Sequence, residues 1–134
     1  MSKRALLSVV ALFVVAMALG FVVHGLLLAS DYGQLPNLMR TQAEAGAHFP
    51  FMILAHVLMA IGLTWIYRRG REDKPWLGQG VRFGLGVAVM ATIPMYLIYH
   101  AVCPFPLSLV AKQIAFDTAA AVLLGITAAA VNRD

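Results

Sequence analysis

Charge is scarce in this chain. Ten Lys and Arg with six Asp and Glu make up 12% of 134 residues, where an ordinary soluble domain carries roughly a quarter. So little polar surface cannot cover a folded monomer in water, and a soluble globule is excluded. Cysteine is scarcer still: with Cys103 as the single thiol, the chain by itself builds no disulfide framework, no CxxC redox pair and no multi-cysteine zinc or iron–sulfur site. Neither a nucleophile beside a base nor a phosphate loop stands out, so no enzyme is expected. The basic residues flank apolar runs instead of forming an aromatic-interleaved patch, which argues against a nucleic-acid partner. Internal repeats, low-complexity tracts and the inverted half-repeats of transporters are missing too.

What fills the chain is apolar: 61% of residues are hydrophobic, and the mean hydropathy is +0.82. Crossing about 30 Å of hydrocarbon at 1.5 Å per residue takes roughly 20 residues. Four runs are long enough: Ala5–Ala29, about Pro50–Tyr67, about Gly80–Ala101 and about Phe105–Val131. Lipid offers the backbone no hydrogen-bond partner, and four strands cannot close a barrel, so the spans are helical. The expected fold is all-α, a four-helix transmembrane bundle forming one integral membrane domain over residues 1–134. Its first partner is the lipid bilayer.

Eight of the ten basic residues lie on one side of this scheme: Lys3, Arg4, Arg68, Arg69, Arg71, Lys74, Arg82 and Arg133. Only Arg40 and Lys112 lie opposite. Positive flanks stay in the cytoplasm, which predicts a multi-pass protein of the bacterial inner membrane with both termini inside. Ala16-Met17-Ala18 resembles a signal-peptidase site, but the apolar run continues to Leu28, so an uncleaved anchor is expected. In the periplasmic loop, Pro36 suits a helix start, Leu35, Leu38, Met39 and Ala43 share a face, and Gly46 is a stop, which predicts a short interfacial helix. In the cytoplasmic loop, Gly70 suits a helix cap, Pro75 opens the third span, and Trp65, Tyr67 and Trp76 suit the headgroup layer.

Small residues at helical spacing mark faces where membrane helices meet. Gly80, Gly84, Ala88 and Ala91 form such a row in the third span, and Ala121, Gly125 and Ala128 in the fourth. Ala16, Gly20 and His24 form one in the first. Pro94 predicts a kink in the third span.

Ionisable groups inside spans are the informative positions, because a charge at mid-helix costs about 2.5–3.5 kcal/mol on insertion scales. Asp117 is one, about 15 Å below the start of its span. It is either a structural hydrogen-bonding group, with Thr92 or a carbonyl freed by Pro94 as partner, or a proton or cation site. Lys112 is expected to snorkel to the headgroups. His24, His56 and His100 come from three spans at a common depth near the outer surface, with His48 just outside and Tyr96 and Cys103 close to His100. That layer admits three chemistries. His56 with His24 or His100 would hold haem b between facing helices. His48, Met52 and His56, on one helical face, would suit copper. Asp117 with His56 and Tyr96 would relay protons.

Four spans and one intramembrane acid are similar to the small multidrug resistance exporters, but those carry their glutamate in the first span, where this chain has no acid. The chain more closely resembles four-span bacterial inner-membrane proteins without assigned activity. The resemblance rests on His24-Gly25, on Asp31-Tyr32-Gly33, on the cluster Trp65 to Arg69 and on Pro75 to Gly84. It implies the same fold over nearly the whole chain and transfers no catalytic residue. The sequence thus favours a structural or accessory protein that associates with itself or with a larger membrane complex. A haem- or copper-binding redox subunit and a small proton-coupled transporter stand as alternatives.

Overall fold

A computed structural model describes residues 2–133. Their secondary structure is all helical, with no strand among the described residues, and four helices are long and apolar enough to cross a membrane: Lys3–Leu27, Phe49–Gly70, Trp76–Val102 and Leu107–Asn132. Each is 22 to 27 residues long, about 33 to 40 Å at the helical rise. We call them spans one to four. Together they make a multi-pass membrane protein.

Prolines set two of the starts. Span three begins four residues before the expected Gly80, at Trp76, because Pro75 supplies a non-helical entry. Span four starts at Leu107 instead of Phe105, because Phe105 precedes Pro106 and is biased to extended backbone. Gly70 is the last helical residue of span two and has no left-handed φ, so it is not the expected cap. The Gln79 side chain clamps the connection that follows, bonding the Glu72 N–H at 2.8 Å and the carbonyls of Glu72 and Lys74.

The expected interfacial helix is corrected. Residues 36–39 form turns, and two shorter helices flank them, Ala29–Gly33 and Gln42–Ala47. The second is set by a capping box, Thr41 accepting from the Glu44 N–H and Glu44 accepting from the Thr41 N–H. Leu35 turns inward to a small core of Val23, Leu28 and Leu109.

The spans lie in the order two, one, four, three. Span four packs on spans one and three, and span one packs on span two. Spans two and three meet near the end of the molecule that holds most arginines, where Tyr67 and Phe83 touch edge to face at 5.3 Å. Tyr67 is buried in that core and is no headgroup anchor; Trp65 is the exposed ring.

The small residues do what their spacing predicts. A Cβ on Gly84 would stand 2.5 Å from the Ala121 carbonyl oxygen, and one on Gly125 only 2.2 Å from the Gly80 oxygen. Backbones this close exclude any side chain, so spans three and four form the tightest seam. The main core runs beside it, from Leu12 and Ala16 through Ala60 and Leu63 to Leu124 and Ala128.

Side-chain bonds close the arginine end. Asn132 donates to Ser8 Oγ at 3.0 Å and to the Ala128 carbonyl at 2.8 Å, and it accepts from Arg68 at 2.8 Å. Thr64 donates to Ser8 at 3.2 Å. Ser8, Thr64 and Asn132 are all buried, and they join spans one, two and four without a titratable group.

Candidate functional site

At the opposite end, which we call the histidine end, two spans leave regular α-helical geometry. Phe21–Leu27 in span one winds as a π-helix, with the Leu28 N–H reaching back five residues to the Val23 carbonyl at 2.9 Å. In span three Pro94 has no N–H for the Met90 carbonyl, and Ala88–Thr92 widens in the same way. Such widened turns shift the side chains that follow them around the helix. His24 lies within the first and Tyr96 one turn after the second.

Both side chains meet Asp117 of span four. His24 Nε2 lies 3.2 Å from Asp117 Oδ2, and the Tyr96 hydroxyl donates to the same oxygen. His24 Nδ1 lies 2.7 Å from the Tyr32 hydroxyl, and that hydroxyl accepts from Gln113 Nε2 at 3.1 Å. With His24 protonated on Nε2, every donor has an acceptor: Gln113 to Tyr32, Tyr32 to Nδ1, and Nε2–H to Asp117, which also accepts from Tyr96. Burial pushes the Tyr32 phenol above its ordinary value, so it keeps its proton and remains a donor. One turn before Asp117, Gln113 is buried and fixes the Tyr32 ring.

The site is neither sealed nor open. The Asp117 side chain is 18% exposed and that of His24 37%, so the imidazole is the more exposed of the two. The Thr118 hydroxyl, next to Asp117 in the chain, is buried without a hydrogen-bond partner. Lys112 closes the rim by bonding Asp31 at 2.8 Å and does not pair with Asp117.

Counting along each helix misplaces this carboxylate. Asp117 is ten residues into span four and His24 three residues from the end of span one, about 15 Å and 5 Å by rise. They meet because span four extends past span one, where Leu109 packs on Leu28 and Lys112 reaches Asp31. Asp117 therefore stands level with His24. Its partners are His24 and Tyr96 in place of Thr92 or the freed carbonyl, and the imidazole beside it is not His56.

The other histidines stay apart from it. His48 Nδ1 donates to the Glu44 carbonyl at 2.8 Å, His56 Nδ1 to the Met52 carbonyl at 2.8 Å and His100 Nδ1 to the Phe105 carbonyl at 2.9 Å. A carbonyl only accepts, so each ring carries its proton on Nδ1 and turns Nε2 away. For His56 that nitrogen faces Gly20 of span one. His24 has both nitrogens engaged, so the expected haem pair with His56 or His100 is not assembled. Among the described residues no three His, Cys, Asp or Glu side chains converge as a metal site. Cys103 is a half-buried free thiol.

Tyr32 and Gln113 are members of the site that the sequence left in other roles. The signal for Gln113 was its place four residues before Asp117 on one stripe; Tyr32 reaches the site only through the fold of the loop. Searches for similarity found no matching protein-family model, no matching curated protein and no matching solved structure.

Proposed function

We propose that the protein is a small proton-coupled membrane transporter whose proton-binding group is Asp117, loaded through His24. One observation carries the reading: a carboxylate within membrane-spanning helices is held by an imidazole and a phenol from two other spans, with the imidazole more exposed than the carboxylate. Placing these groups in an apolar bundle costs free energy, and the buried Ser8–Thr64–Asn132 cluster joins helices without an acid. An imidazole beside a carboxylate adds what hydroxyls and an amide lack, groups that can take up and release a proton. A proton taken from water at the exposed edge of His24 makes the imidazolium, with Tyr32 keeping its own proton and its oxygen turning to accept from Nδ1–H, and the Nε2–H then passes to the carboxylate; Tyr96 stabilises the ionised state between loads. The activity is transport and not enzymatic turnover.

The charge bias supports a bacterial inner-membrane location with the arginine end in the cytoplasm, so that protons enter Asp117 from the periplasm. A second reading, an accessory subunit working with further copies or a larger complex, is favoured by spans two and three, whose apolar windows are only 17% and 11% buried within the chain. The two are compatible if the transporter is an oligomer.

Infrared spectroscopy of the protein in liposomes tests the proton site. A carboxyl C=O band that titrates with pH and vanishes in Asp117→Asn is expected, with its midpoint moved in His24→Gln. Proton uptake into those liposomes under an imposed pH gradient should exceed that of Asp117→Asn. A titration unchanged by Asp117→Asn, or uptake equal in the two proteins, overturns the proposal.

A further inference from the structure

Spans one and two part at the arginine end to leave a groove of about 390 Å³ facing the lipid. Its floor is apolar, formed by Ala5 and Val9 of span one and Ile61 of span two, and its mouth is formed by Trp65, Arg68 and Arg69. Trp65 is 61% exposed, and the Arg69 guanidinium lies over its ring at 5.5 Å. Arg68 bonds only neutral partners, Asn132 at 2.8 Å and Ser2 at 3.3 Å. Among the described residues no carboxylate pairs with either guanidinium. The groove thus has an apolar length along the membrane normal and two uncompensated positive charges at its headgroup end.

We propose that this groove binds an anionic phospholipid, one acyl chain lying between spans one and two and the phosphate resting on Arg68 and Arg69. The charge complementarity selects the headgroup. A guanidinium presents a planar fork of donors that matches phosphate oxygens, and Arg68, held by Asn132 and Ser2, is fixed before the lipid arrives. Trp65 sits at the level where the glycerol backbone meets the chains, the depth indole rings prefer. This site lies at the end of the bundle opposite Asp117 and does not depend on the proton reading.

Trp65 and Trp76 are the two tryptophans, so full-length protein carrying Trp76→Phe reports on the groove alone. Its fluorescence is measured in phosphatidylcholine liposomes containing, at equal mole fraction, phosphatidylglycerol or phosphatidylcholine with brominated chains, which quench on contact. The expected result is a roughly fivefold preference of the Trp65 site for the anionic lipid, the order set by one basic side chain at a membrane surface. Arg69→Gln keeps the Arg68–Asn132 bond and should lose a large part of that preference; Arg68→Gln with Arg69→Gln should abolish it. Arg82→Gln removes a basic charge from another part of the same end and should leave it unchanged. Equal quenching by the two lipids overturns the proposal. So does a loss in Arg82→Gln as large as in Arg69→Gln, which would mark diffuse attraction, or the absence of quenching by either lipid, which would mean that a second copy covers the groove.

Discussion

The two ends of this bundle solve one problem in different chemistries. At the arginine end, Ser8, Thr64 and Asn132 join spans one, two and four, and each is buried with its hydrogen bonds made. At the histidine end, Asp117, His24, Tyr96, Tyr32 and Gln113 join spans one, three and four, but the imidazole is more than a third exposed. Joining helices inside a membrane requires hydrogen bonds, and the first network makes them without an acid. The second adds an acid and a base, with the base partly exposed. That difference between a closed clasp and an exchangeable one is the physical basis for placing function at the histidine end.

The largest effect should come from the seam that both networks depend on. Gly125→Leu would drive a side chain into a space where even a Cβ stands 2.2 Å from a backbone oxygen. Overpacking of this kind costs about 1–3 kcal/mol where side chains can shift, and here the obstacle is backbone. The variant should yield no folded protein by circular dichroism and size-exclusion chromatography in detergent. If it folds with the parent melting temperature, the seam is not the fulcrum of the bundle.

Next comes a pair of substitutions that sets the ends against each other. Asn132→Leu leaves Ser8 and Arg68 short of a partner and should destabilise by about 2–3 kcal/mol in equilibrium unfolding, while the Asp117 carboxyl band still titrates. Asp117→Asn keeps an acceptor for Tyr96 and should change stability by less than about 1 kcal/mol, while the band is lost. Equal stability losses would dissolve the distinction between clasp and exchange site.

Smaller effects sharpen the rim. Lys112→Met removes an ion pair whose lysine side chain is 50% exposed, so its cost should stay below about 1 kcal/mol and shrink further with added salt. The smallest effect concerns Glu44, whose carboxyl the Thr41 hydrogen bonds hold below the usual carboxylate range. A lowered folded value means that the capping box contributes fully above the unfolded value and is lost as pH falls through the folded one. Amide exchange in Gln42–Ala47 should therefore accelerate in acid, and Glu44→Gln should remove that pH dependence.

Much of the architecture was legible residue by residue. The number of spans follows from apolar length, and the seam follows from Gly80, Gly84, Ala121 and Gly125 at spacings of four, a local period that survives whatever the helix packs against. Half of the site was legible as well: Asp117 is an acid in an apolar run, and Tyr96 and the histidines are conspicuous for the same reason. The pairing was not. Depths counted from the two helix ends place His24 and Asp117 about 10 Å apart, because nothing in either stretch records that span four begins beyond the end of span one. Tyr32 enters the site only because the loop folds back, and Asn132 gives no sign of its role because its partners, Ser8 and Arg68, are 124 and 64 residues away.

By itself the sequence determined that the chain crosses a membrane as four helices and which faces are small enough to meet, since both depend on composition and on the fixed rise and period of a helix. Only the tertiary structure decided which histidine stands beside Asp117. That choice depends on the axial offset of the spans and on two widened turns, and these are settled by packing between segments far apart in the chain.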